Sequence, residues 1–74
     1  FDIFPNPTAS GEFTVSWADS PIKSHRIRVY NVEGKLVLDE PVLGGKYTGS
    51  LPSGEYVIVV EDESGVTSRK LVVI

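Results

Sequence analysis

The chain has 74 residues, no cysteine, seven Lys and Arg against ten Asp and Glu, and a net charge of −3. That length suits one small domain, and the missing thiols exclude disulfides, cysteine nucleophiles and cysteine-held metals while leaving the redox compartment open. The acidic balance is the wrong sign for a partner bound by phosphate neutralisation, so no nucleic acid is expected, and the 41% of hydrophobic residues are spread out rather than gathered into a transmembrane block.

No window has the i, i+3, i+4, i+7 spacing of an amphipathic helix, whereas short β-branched and aromatic runs recur between Gly, Pro, Asn and Ser breaks. The opening stretch, Phe1 to Thr8, carries Pro5 and Pro7, so only Ile3 and Phe4 are free to pair, and an edge piece plugging one end of the core is expected. From Glu12 to Trp17, Phe13, Val15 and Trp17 share one face and Glu12, Thr14 and Ser16 the other. In His25 to Val32, Ile27 and Val29 oppose Arg26, Arg28 and Tyr30, and Asn31-Val32-Glu33-Gly34-Lys35 follows as a hairpin signal. Asn caps a type I turn at its first position, and Gly at the fourth supplies the positive φ.

The return strand, Lys35 to Val42, is expected to stop near Pro41, which has no N–H to give a ladder. After Gly44-Gly45 comes a short strand from Lys46 to Leu51, and Pro52-Ser53-Gly54 turns the chain into Glu55 to Val60. That run is apolar on both faces, which predicts a central strand covered on both sides or the most buried position of a sandwich. Glu63-Ser64-Gly65-Val66 reads as a tight turn, and Thr67 to Ile74 as a last strand lying inside a sheet. With the opening piece this makes seven strands of an all-β sandwich. The chain begins at Phe1 with no basic stretch leading into an apolar one, so a secretion signal is expected upstream of it.

Catalytic chemistry finds little support. His25 is the sole histidine, stands at a strand start between Ser24 and Arg26, and is expected to face solvent rather than serve as base or ligand. Glu61, Asp62 and Glu63 match no calcium loop and read as a charged hairpin end near Arg69 and Lys70 across the ladder. Trp17, Tyr47 and Tyr56 would suit a sugar-stacking platform, but their phase with Phe13, Val15, Ile58 and Val60 favours a core role. Asn6-Pro7-Thr8 is disqualified as a glycosylation acceptor by its proline. No enzyme activity, cofactor or metal is expected.

The order of the remaining signals is more informative. Ile3-Phe4-Pro5-Asn6-Pro7-Thr8 with Gly11 and Phe13, then Val29-Tyr30-Asn31 and Gly34-Lys35, then Leu51-Pro52-Ser53-Gly54-Glu55-Tyr56, then Lys70-Leu71-Val72-Val73 resembles the type A C-terminal sorting domain of the type IX (Por) secretion system of Bacteroidetes. The likeness runs from Ile3 to Ile74, with Phe4 in place of the usual Tyr and Gly49 where an acidic or polar residue often stands.

The resemblance implies a seven-stranded immunoglobulin-like (fibronectin-like) β-sandwich serving as a sorting signal at the end of a larger secreted precursor. It is recognised in the periplasm, taken across the outer membrane with its cargo by the secretion machinery, and typically removed by a sortase that attaches the cargo to the cell surface. The residues that match the family motifs are Pro5, Asn6, Pro7, Gly34, Lys35, Leu51, Pro52, Gly54, Tyr56, Lys70, Leu71, Val72 and Val73. Most have a reason in the fold, Tyr56 and Leu71 by packing and the glycines by turning, whereas Lys35 and Lys70 do not and are the expected contacts. The final strand could in addition pair with a receptor's sheet edge. The competing function is an appended fibronectin-like or carbohydrate-binding module of a secreted enzyme, which would use Trp17 and the tyrosines.

Overall fold

The computed structural model describes residues 1–17, 24–63 and 65–74. Among them are seven strands and no helix: β1 (Asp2–Phe4), β2 (Glu12–Ser16), β3 (Ser24–Asn31), β4 (Leu36–Leu43), β5 (Lys46–Ser50), β6 (Gly54–Asp62) and β7 (Gly65–Val73). They form two antiparallel sheets, one of three strands in the order β1-β2-β5 and one of four in the order β4-β3-β6-β7. The chain passes from the smaller sheet to the larger after β2, returns through Gly44 and Gly45 into β5, and crosses again through Leu51 to Ser53 into β6.

Alternation along the strands builds one core between the sheets. Phe13, Val15 and Trp17 from the smaller sheet meet Ile27, Val29, Tyr56, Ile58, Val60, Leu71 and Val73 from the larger. The crossings are pinned at this core. Trp17 receives its place from two bonds, its backbone N–H donating to Gly45 O at 3.0 Å and its Nε1 to Gly44 O at 2.9 Å. Tyr56 reaches back to donate its hydroxyl to Pro52 O at 2.8 Å, holding the turn that precedes it.

The β3–β4 hairpin closes as its residues require. Asn31 Oδ1 accepts from the backbone N–H groups of Glu33 and Lys35, each at 3.0 Å, and Gly34 takes φ +80°. A bulge follows at Val29/Tyr30: Val29 faces Leu38 but Tyr30 faces Leu36, leaving Val37 as the extra residue.

Several expectations need correction. β4 ends at Leu43, one residue past the expected Val42, and keeps Pro41 within it opposite Arg26, because β4 is an edge strand and an edge tolerates a missing donor. β6 is central, between β3 and β7, yet only one of its faces is covered: Tyr56, Ile58 and Val60 are buried while Val57 is 42% exposed. The last strand is an edge of its sheet, not an interior strand. His25 is buried, in phase with Ile27 and Val29, its ring 4.4 Å from that of Trp17 and its Nε2 3.4 Å from Asp62 Oδ2. The acidic run pairs with Val66 and Gly65 of β7 through its backbone, but the side-chain ion pair of Glu61 is with β3 and not with Arg69 or Lys70. Glu61 Oε1 accepts from Arg28 Nη1 at 3.2 Å, whereas register places Arg69 opposite Ile58 and Lys70 opposite Val57. The turn expected at 63–66 includes Ser64, which lies outside the described residues, and Gly65 already pairs with Asp62.

Candidate recognition surface

The segment after β1 seals the exposed edge of β7. Asn6 Nδ2 donates to Lys70 O at 2.8 Å, and Asn6 Oδ1 accepts from Val72 N at 3.1 Å. Thr8 continues the pairing with its backbone, its N–H donating to Val72 O and its carbonyl accepting from Ile74 N, both at 2.9 Å. Its side chain is fully buried and donates to Glu12 O at 2.8 Å, which ties the edge of the larger sheet to the start of β2. An edge strand offers a row of unmet backbone groups, and here the amide of Asn6 stands in for a neighbouring strand. Phe4–Pro5 and Asn6–Pro7 are both cis in this segment, and Pro5 and Pro7 are exposed. The opposite side of the molecule is closed by side chains: Tyr47 of β5 donates its hydroxyl to Glu40 Oε2 of β4 at 2.7 Å. Burial first, then that bond and the nearby carboxylate charge, push the Tyr47 phenol up to about 12.

The outer face of the larger sheet is divided. One half is charged, with Arg26 and Arg28 of β3 set against Asp39 of β4 and Glu61 of β6. The other half, beside the β3–β4 turn, is apolar. A cross-strand row runs Leu36, Tyr30, Val57 and Lys70, and Val72 follows on the same face opposite Glu55. Between Val32 and Val57 lies a groove of about 150 Å³, lined by Asn31, Val32, Glu55, Tyr56, Val57 and Lys70. Lys70 Nζ stands 2.6 Å from Glu55 Oε1 at its rim. The hydrogen bond from Lys70, and then its charge, hold the Glu55 carboxyl below its ordinary value.

The motif residues sort clearly in this setting. Asn31 and Gly34 form the turn at one wall of the groove, with Lys35 exposed beside them. Leu51, Pro52 and Gly54 shape the entry to β6 and deliver Glu55 to the groove and the Tyr56 side chain to the core. Leu71 and Val73 are core, Val72 is half-buried, and Lys70 alone of that run reaches outward to the groove. Asn6 does not touch the groove but fixes the backbone of the strand that carries Lys70. Val32, Glu55 and Val57 are lining residues that the sequence reading had not singled out as contacts. For Val57 the signal was the apolar run on both faces of β6, whereas Val32 lies in the β3–β4 turn and Glu55 is charged.

Other chemistry has little to build on. Among the described residues no group of three His, Asp or Glu side chains could hold a metal ion, and no helix is long and apolar enough to cross a membrane. Trp17 and Tyr56 are buried at 8% and 7% exposure and present no stacking platform for a sugar.

The described residues thus form an all-β domain with a sealed terminal edge and an apolar corner on the outer face of the larger sheet. The family model for the secretion system C-terminal sorting domain matches residues 2–74, and the chain belongs to that family. Comparison with curated proteins and with solved structures finds no match. Domains of this family are the C-terminal sorting signals of type IX secretion, not enzymes, and they serve export across the outer membrane to the cell surface or beyond.

Proposed function

We propose that the chain is the last domain of a larger secreted precursor, recognised in the periplasm as a folded immunoglobulin-like sandwich and carried with its cargo through the outer membrane. The strand order supports the sandwich reading: β4 stays beside β3 in the larger sheet, as in fibronectin-like domains, and does not join the smaller one. After passage a sortase-like protease cuts upstream of Phe1 and attaches the cargo to the surface. The observation that supports recognition is that residues from three separated motif segments, Asn31 and Val32, Glu55 and Tyr56, and Lys70, line one groove on the larger sheet.

Fusion of residues 1–74 to an inert periplasmic reporter, expressed in a bacterium with this secretion system, tests the reading. Reporter outside the cell supports it. Reporter retained in the periplasm, with the domain intact and folded, refutes it.

A further inference from the structure

An open sheet face carries two kinds of information for a partner, the apolar surface it leaves uncovered and the charges that frame it. The apolar half of the larger sheet has both in one place. Val32 is 75% exposed and Val57 42%, which is costly surface to leave in water unless something covers it. The groove between them holds about 150 Å³, a size that elsewhere admits a benzene-sized group. Glu55 and Lys70 are the charged residues that line it. An ammonium has three donors, and Lys70, whose side chain is 65% exposed, gives one to Glu55. The others are free to bond solvent or an entering acceptor.

We propose that this groove takes one large apolar side chain of the protein that reads the sorting signal, and that Lys70 receives a carboxylate next to that side chain. Asn6 is the positioning residue, because its bonds to Lys70 O and Val72 N hold the strand from the far side. This reading explains why motifs far apart in sequence act together: residues 31–32 and 55–57 form the walls, Lys70 supplies the charge, and residue 6 sets its place. It rests on the sorting function proposed above.

The test uses the reporter fusion with the complete domain. Val32→Asp, Val57→Asp, Lys70→Gln and the charge exchange Glu55→Lys with Lys70→Glu should each lower the exported fraction at least about tenfold, while Glu55→Gln stays near wild type. The exchange keeps an ion pair in place, so a purely structural role for it predicts unchanged export. Melting followed by Trp17 fluorescence on the purified domains separates loss of recognition from loss of fold. Val32→Asp, in the exposed turn, and the charge exchange are the variants expected to keep the wild-type transition. Export of the wild type and of the charge exchange at equal levels overturns this inference and leaves the sorting function standing. A damaging Glu55→Gln beside a harmless Lys70→Gln also overturns it, since the partner would then offer a cation. Retention of the wild-type reporter itself removes the sorting function, and this inference falls with it.

Discussion

Replacing Asn6 by Ala removes both bonds that the side chain gives β7, the 2.8 Å bond to Lys70 O and the 3.1 Å bond from Val72 N. Each is worth about 0.5–1.5 kcal/mol net, and because both backbone groups lie at an exposed edge where water can replace the amide, the lower half of that range applies. The sum is about 1–2 kcal/mol. For a domain of this size that lowers Tm by roughly 5–15 °C, because each kcal/mol is worth about 4–8 °C. Thermal melting by Trp17 fluorescence gives the shift, and amide hydrogen exchange locates it. Val72 should lose protection, whereas Ile58, whose strand lies between two neighbours, should lose only what the global stability loses. An unchanged Tm together with unchanged protection at Val72 would refute the view that Asn6 seals this edge.

Gly34→Val should cost about 1–3 kcal/mol in urea unfolding through its φ of +80° alone, since a Cβ there meets nothing within 4 Å, and Gly34→Asn should cost clearly less. Gly11→Ala should cost more than Gly34→Ala, because φ is +89° and the new Cβ would sit 2.6 Å from Leu51 O; equal losses would contradict the close approach. Ile58→Ala, at a fully buried site, should cost about 2–5 kcal/mol, and a loss below 1 kcal/mol would mean the core is not packed as described. In an alkaline titration read at the phenolate band, Tyr47 should ionise near 12 instead of 10. Its folded pKa is raised, so the associated stability is complete below pH 10 and is lost as pH climbs from about 10 toward 12. Glu40→Gln should bring that ionisation down; a Tyr47 that titrates at its ordinary value in the native protein would dismiss the cross-sheet bond. Titration with soluble glycans should leave Trp17 fluorescence unchanged, and a saturable change would revive the carbohydrate-binding alternative.

Much of the architecture was legible from alternation. Phe13, Val15 and Trp17, and then Ile27 and Val29, point inward as their period of two requires, and Asn31 with Gly34 makes the turn their chemistry demands. The same alternation, continued one step back from Ile27, places His25 inside. Residue type points a polar side chain at a strand start toward solvent, but phase with Ile27 decides the outcome here. The apolar outer residues of β6 show the opposite difficulty. Val57 and Val59 look alike in sequence whether a second layer covers them or a partner does, and only the count of layers decides. The Asn6 seal was not legible at all, since a side chain that bonds a strand 64 residues away leaves no local pattern. The motif resemblance named the residues, but position along the chain could not show that residue 6 and residues 70–72 belong to one structure.

The seal also governs where a tethered polypeptide leaves the domain. Residues 6–8 run beside residues 70–74, and Phe1 lies against β7, its carbonyl accepting from Arg69 Nε at 3.3 Å and its ring 5.6 Å beneath the guanidinium. Both ends of the domain thus emerge on one flank, so anything that grasps β7 also holds the root of whatever is joined ahead of Phe1. Tension drawn on that leash falls first on Phe1 and the β1–β2 ladder, and reaches the sealing bonds of Asn6 and Thr8 only after β1 has peeled away.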